Sequence, residues 1–239
     1  DKGPDVGGRL LDRGGSGPQA GGFSTVEEAI AHDFGYFVQH CSKLVLIDGD
    51  SSLMVKQAER TKAKVKSVMK KDLSKYEVER YGTQFVIEGE KYLFQALLPR
   101  EVFYSIMMCK ETVEYFGLPF DKSFSAFVNP EGRGTLLAGV KDTVLIDSSY
   151  NANLSSVEAM LSMFAKFPAE KKWVVLGDML ELVEKEQEEH EALAEVLAKM
   201  ELERVILVGK RVGKYTYEVL QGRGPVSSFP PASARSNEL

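Results

Sequence analysis

From residue 143 onward the chain alternates short apolar runs with longer amphipathic ones, and few folds accept that rhythm. "TVLID" (143–147), "KWVVLGD" (172–178) and "RVILVGK" (204–210) have the length and β-branched content of buried strands. Between and after them lie "LSSVEAMLSMFAKF" (154–167), "KEQEEHEALAEVLAKM" (185–200) and "GKYTYEVLQ" (213–221), which have helical spacing. A helix between successive strands leaves each strand running the same way, with a right-handed crossover. The expectation is an α/β domain built on a mostly parallel sheet.

The upstream half is less regular. Residues 1–22 are Gly-rich and read as loop or disorder. "STVEEAIAHDFGYFVQHC" (24–41) places Val26, Ala29, Ile30, Phe34, Phe37 and Val38 at helical spacing, with Ser24 or Thr25 as cap. "KLVLID" (43–48) predicts a strand ending at Gly49, then a helix through 52–63 and a strand near "KVKSVM". "QFVIEGEKYLFQALL" (84–98) predicts a hairpin turning at Glu88–Gly89, and 101–116 a helix that stops at Gly117. The composition break "VNPEGRG" (128–134) predicts a boundary between domains at 1–127 and 128–239. Beyond Gln221 the pattern fades, so 222–239 is expected to be an irregular tail.

Bulk properties exclude several classes. A net charge of -5 and a pI near 5.4 point away from nucleic acid or an anionic membrane as partner. No run is apolar for the roughly 20 residues a membrane helix needs. No secretory leader opens the chain, and Cys41 and Cys109 are widely spaced, so a reduced, cytoplasmic setting is expected.

Ligands of open α/β sheets sit beyond the carboxyl ends of the strands. Three such ends are polar here: "IDSSYNAN" (146–153), "LGDMLEL" (176–182) and "VGKRVGK" (208–214). At the first, a helix starting near Asn153 would offer free N–H groups to an anionic or sugar-bearing ligand. Equally, Asn153 or Ser155 caps the helix and Tyr150 packs. At the second, Asp178 and Glu181 would share a first helical turn, either binding a cation or ammonium group or answering the helix dipole. The third fails as a phosphate loop, because three residues rather than four separate its glycines and Tyr215 stands where Ser or Thr is needed. No other phosphate loop occurs in the chain, and no G-x-G-x-x-G follows a first strand as a dinucleotide-dependent oxidoreductase would require. His190, among Glu186, Glu188, Glu189 and Glu191, reads as part of a solvated acidic face.

Four motifs in order carry a resemblance to the Mur ligase superfamily: "GRG" (132–134), "IDSSYNANLSS", "VVLGDMLEL", and "EEH" followed by "RVILVGK". More loosely, "KLVLIDGD" is similar to the adenine-side strand of the family's central ATPase domain, and "LLPREVFYSIMMCKETVEYFGL" to its last helix. The resemblance covers about residues 17–220. It implies part of the central domain followed by a Rossmann-like C-terminal domain. It further implies ATP- and Mg2+-dependent joining of D-Ala-D-Ala to a UDP-N-acetylmuramoyl tripeptide in peptidoglycan precursor synthesis, through an acyl phosphate. Electrostatic positioning of phosphates and exclusion of water are what that chemistry demands.

By that resemblance Arg133 would reach the ATP phosphates or ribose. Asp147, Ser148, Tyr150 and Asn151 would line the ribose side, and Asp48 would stand near the adenine. Asn153, Ser156, Asp178 and Glu181 would face the peptide substrates. Several positions depart from the family pattern. The usual Asp-Asp is Asp147-Ser148, the adenine-side Asn is Asp48, and the metal-linked His is Gln19 or Ala20. The carbamylated Lys is Asp33, and Gly-Arg-His-Asn is Pro99, Arg100, Glu101 and Val102. Without a phosphate loop or the UDP-sugar-binding domain, the 239 residues are expected to be inactive alone, as the back half of a divergent ligase. A missing partner chain or an incomplete reading frame would then account for the N-terminal half. A non-catalytic nucleotide-binding or scaffold module is the alternative.

Overall fold

The computed structural model describes residues 25–229. Contacts divide the chain into two compact units, one running to Lys70 and one from Lys71. The composition break at 128–134 lies within the second.

The first unit comprises α1 (Val26–His40), β1 (Leu44–Asp48), α2 (Ser52–Ala58) and β2 (Lys64–Val68). The Thr25 hydroxyl caps α1 by accepting the Glu28 N–H at 3.1 Å, and Ser51 caps α2. Strands β1 and β2 pair in parallel, from Leu44 opposite Lys64 to Asp48 opposite Val68. The core is small: Val45, Ile47 and Ala58, with Val38, Met54 and Ala63 against them. The apolar spacing in α1 misjudged its inner face. Ala31 and Gly35 are buried, while Ile30, Phe34 and Phe37 are exposed. Small residues face inward because α2 lies close: a Cβ at Gly35 would collide with Gln57 and Arg60.

The second unit opens with an antiparallel meander, β3 (Leu73–Glu79), β4 (Gly82–Ile87) and β5 (Glu90–Phe94). Sequence periodicity found β4 and β5 but missed β3, three of whose seven residues are charged. Glu88 and Gly89 take φ of 51° and 81°, the left-handed pair that a tight two-residue hairpin requires. Helix α3 (Val102–Tyr115) buries Phe103, Ile106 and Met107.

There follow β6 (Thr135–Ala138), β7 (Val144–Asp147), α4 (Leu154–Lys166), β8 (Trp173–Gly177), α5 (Glu186–Leu197), β9 (Arg204–Val208), α6 (Tyr217–Leu220) and β10 (Val226–Phe229). Strands β8, β9 and β10 form a parallel sheet in the order β10-β9-β8. Two expectations are corrected here. Strand β7 pairs antiparallel with the unforeseen β6 in a hairpin, Thr135 opposite Asp147. Residues 226–229, assigned to the irregular tail, are a third parallel strand; two serines in four residues hid it. Residues 222–225 are a turn leading into that strand, and the expected disorder of 1–22 and the tail from 230 lie outside the described residues.

Alternation sets which way the sheet faces. Val174, Val205 and Leu207 are buried with Leu161 of α4, Leu193, Ala194 and Leu197 of α5, and Leu220 of α6. Trp173 and Val175 are exposed on the other face. A second cluster, Leu97, Met163 and Phe167, joins the meander to α4 and to Leu136, Val144 and Ile146 of the hairpin. No helix among the described residues is long and apolar enough to cross a membrane.

Glu90 closes the β4–β5 hairpin electrostatically. It accepts from Lys122 at 2.7 Å and from the Tyr92 hydroxyl at 2.8 Å, and Lys110 stands 3.5 Å away. The Lys122 hydrogen bond, then that of Tyr92, pull its pKa from 4.5 to about 2. A depressed carboxylate contributes stability above its unfolded value and loses it as pH falls through the folded one. Glu90→Gln is therefore expected to melt below wild type at pH 7, with the gap closing between pH 4.5 and about 2. Thermal melts across that range check it; a gap independent of pH refutes it.

Candidate functional site

Three loops leave the carboxyl ends of β7, β8 and β9. In the first, the Asp147 carboxylate accepts the Ser149 N–H at 3.1 Å, a local turn typical of Asp. The turn carrying "GRG" is tied onto this loop by two backbone bonds. The Gly134 N–H donates to the Asp147 carbonyl at 2.7 Å, and the Tyr150 N–H to the Gly132 carbonyl at 3.1 Å. Gly132 has φ +70°, and a Cβ there would lie 3.0 Å from the Tyr150 nitrogen, so only glycine fits.

Arg133 sits at the tip of that turn, with its guanidinium carbon 4.2 Å from the centre of the Tyr150 ring. At that distance the cation is attracted to the face of the ring. Both side chains are exposed, and Arg133 makes no ion pair among the described residues. A flat, unneutralised cation on an aromatic ring suits an anionic ligand that also has a face to stack. Ser148 is exposed beside them, and the Asn151 side chain accepts the Ala152 N–H at 2.8 Å.

Asn153 and Ser156 have a different task. Asn153 accepts the Ser156 N–H at 2.9 Å, while Ser156 accepts the Asn153 N–H at 3.2 Å: a capping box opening α4. The capping alternative holds for Asn153, and Ser155 takes no part. Asn153→Ala should cost about 1 kcal/mol of unfolding free energy, read from urea denaturation. A loss no larger than that of a surface substitution such as Ser155→Ala would show the box to be unimportant.

The second loop corrects an expectation. Residues 178–182 are not helical; α5 begins only at Glu186, after a short 3-10 turn at Val183–Lys185. Asp178 and Glu181 therefore share no helical turn. Asp178 turns toward the third loop and accepts the backbone N–H groups of Lys210 (3.1 Å), Arg211 (2.9 Å) and Val212 (2.9 Å). Those are the free donors at the start of the helix that runs through a π-helical turn, Val212–Thr216, into α6. The rejection of "GKRVGKY" as a phosphate loop thus has a structural counterpart, since a carboxylate of the chain already occupies its donors. A Cβ at Gly209 would collide with Asp178. Arg211 adds a hydrogen bond to Glu186 and approaches Asp178 to 3.8 Å. Glu181 is exposed at φ +62° and forms no ion pair among the described residues.

His190 is the residue that sequence reasoning misplaced. It is fully buried rather than on a solvated face, and it bonds to the Met179 N–H at 3.2 Å. The signal was present: His190, Leu193, Ala194 and Leu197 are spaced as one helical face, and all four are buried.

The first two loops share one apolar cluster, since Ala152 and Leu154 pack on the core that includes Met179, with Leu182 alongside. No hydrogen bond or ion pair among the described residues links Arg133 or Tyr150 to Asp178 or Glu181. Asp48 belongs to the first unit, where it accepts the Asp50 N–H at 2.8 Å. Asp33 lies on α1 with His32 3.8 Å away; Gln19 and Ala20 lie outside the described residues. Among the described residues no three His, Cys, Asp or Glu converge as a metal site. Their side chains do not provide a magnesium cage.

Residues 132–229 match the family model described as Mur ligase, glutamate ligase domain. The chain is 32% identical over 93 residues to the UDP-N-acetylmuramoyl-tripeptide–D-alanyl-D-alanine ligase of Rickettsia prowazekii, a match spanning 39% of this chain and 20% of that one. It is 28% identical over 134 residues to the Bacillus subtilis protein of the same name, spanning 54% and 29%. Among solved structures, MurF from Acinetobacter baumannii aligns with a TM-score of 0.70 at 16% identity, over 85% of this chain and 46% of that one. The MurF ligase of Thermotoga maritima in complex with ADP aligns at 0.69 and 18% identity, over 85% and 54%. At such identities the structural likeness speaks for the fold alone. The chain spans less than a third of its curated relatives and about half of those solved chains.

Proposed function

From the match of residues 132–229 to the Mur ligase, glutamate ligase domain model, we propose that this chain is part of an ATP-dependent ligase of peptidoglycan precursor synthesis. The reaction would join D-Ala-D-Ala to a UDP-N-acetylmuramoyl tripeptide, in the cytoplasm where those precursors are made. On this reading residues 1–127 derive from the central ATPase domain and 128–239 form the C-terminal domain. The observation that supports it most directly is the Arg133–Tyr150 stack on a glycine turn tied to the end of β7.

In such a ligase the carboxylate is first phosphorylated by ATP, and the amine then attacks the acyl phosphate, expelling phosphate. Negative charge grows on oxygen at both steps, so the protein's contribution is positioned positive charge and exclusion of water. Arg133, held over the Tyr150 ring, would neutralise a nucleotide phosphate. Ser148 and Asn151 would hydrogen-bond the ribose. On the amine side the Asp178 carboxylate is already bonded to three backbone N–H groups. Glu181 is then the carboxylate available to an incoming ammonium.

The departures at Asp48 and Ser148, and the lack of a phosphate loop in these residues, support a second reading: a module that keeps nucleotide affinity without turnover. Calorimetry with ADP and a phosphate-release assay test both. We expect ADP to bind weakly and Arg133→Ala to lower its affinity about tenfold, the loss of one charge-assisted contact. Absence of ADP binding by wild type overturns the nucleotide role given to Arg133 and favours a remnant or scaffold. With ATP, Mg2+, UDP-muramoyl tripeptide and D-Ala-D-Ala, the 239-residue chain alone should release no phosphate above background. Clear turnover would overturn the expectation that these residues are inactive alone.

A further inference from the structure

The loop after β8 is restrained at two consecutive residues, and the second restraint is a histidine whose protonation state its neighbours dictate. His190 Nδ1 lies 2.6 Å from the Glu186 carbonyl oxygen, which can only accept, so Nδ1 bears the proton. Nε2 lies 3.2 Å from the Met179 nitrogen, whose N–H can only donate, so Nε2 is bare. The ring is therefore neutral and in the Nδ1–H tautomer. The charged and titratable groups around it are otherwise engaged. Glu186 bonds Arg211, and Asp178 accepts the backbone N–H groups at Lys210–Val212. The phenol of Tyr215, whose ring centre lies 6.1 Å from that of His190, bonds Lys214. The Thr216 hydroxyl donates to the His190 carbonyl at 2.9 Å, pinning the histidine's backbone to the π-helical turn.

Just beyond this restraint the chain changes character. The Met179 side chain is buried, Leu180 is 57% exposed, and Glu181 is held in the left-handed region. A non-glycine residue stays there only where its surroundings fix it, and such strain concentrates at sites that present a side chain. Asp178 and Met179, anchored in turn, supply that fixity.

We propose that His190 is the positioning residue of the β8 loop: as a neutral acceptor it holds the Met179 backbone so that Leu180 and Glu181 project outward toward the amine substrate. The substrate half of this rests on the ligase reading above; the latch itself rests on the geometry alone.

Nitrogen-15 NMR of the full chain at pH 7.5 should show His190 with a protonated Nδ1 and a bare Nε2. The opposite tautomer or an imidazolium would overturn the latch. Amide exchange then separates acceptor from volume. In His190→Leu the Met179 amide should exchange about tenfold faster than global stability explains, whereas His190→Gln, which retains an acceptor, should stay near wild type. Unchanged Met179 protection in His190→Leu, or equal acceleration in both variants, would also overturn it. If the leucine variant does not fold, the tautomer and the glutamine variant still decide. Finally, D-Ala-D-Ala should shift the Glu181 amide of wild type and bind roughly fivefold more weakly to His190→Leu. No shift in wild type would reject the amine-substrate reading while leaving the latch to the tautomer and exchange data.

Discussion

The Asp178 carboxylate, at the end of β8, accepts three successive backbone N–H groups that follow β9. Hydrogen bonds to an ionised acceptor are stronger than neutral ones, and the donors here are the free ones at a helix start. One side chain thereby links the exits of two neighbouring parallel strands. Gly209 permits it, since any side chain there would collide with the carboxylate. Arg211 and Glu186 extend the tie to α5, and His190 carries it to Met179. Without this tie the loop exits would be ordinary surface segments, and Glu181 would lack the support its backbone conformation requires.

The other end of the candidate site depends on a different device. The β6–β7 hairpin brings "GRG" back against the residues that follow β7, and two backbone bonds fasten it there. Arg133 and Tyr150, 17 positions apart in sequence, are neighbours because glycine at 132 lets the backbones touch. The capping box of Asn153 and Ser156 ends this region and fixes where α4 starts. Of the eight residues in "IDSSYNAN", then, some build the corner and others remain exposed for a ligand. The two explanations that competed for the stretch apply to different side chains within it.

How much was legible in the sequence varied with how local the cause was. Helices α1, α4 and α5 and strands β1, β7, β8 and β9 followed from periodicity, and the Glu88–Gly89 turn from its glycine. Strands β3 and β10 escaped because charged or serine residues interrupt their apolar pattern, and β6, four residues long, is too short for a period to show. The inner face of α1 was misjudged because packing against α2 selected Ala31 and Gly35 over the larger residues. His190 was misread from its charged neighbours, although its spacing with Leu193 and Leu197 placed it on the buried face.

What the residues alone determined was the class of fold, the places where strands end in polar loops, and the motifs shared with Mur ligases. Those follow from local propensity and short spacing, which act within a few residues. Only the tertiary structure decided which carboxylate is open to a ligand. Asp178 and Glu181 look equivalent in sequence, yet one is engaged by backbone donors 32 to 34 positions away and the other is left exposed. That difference arises because parallel pairing of β8 with β9 sets their exits side by side, a proximity no stretch of neighbouring residues encodes.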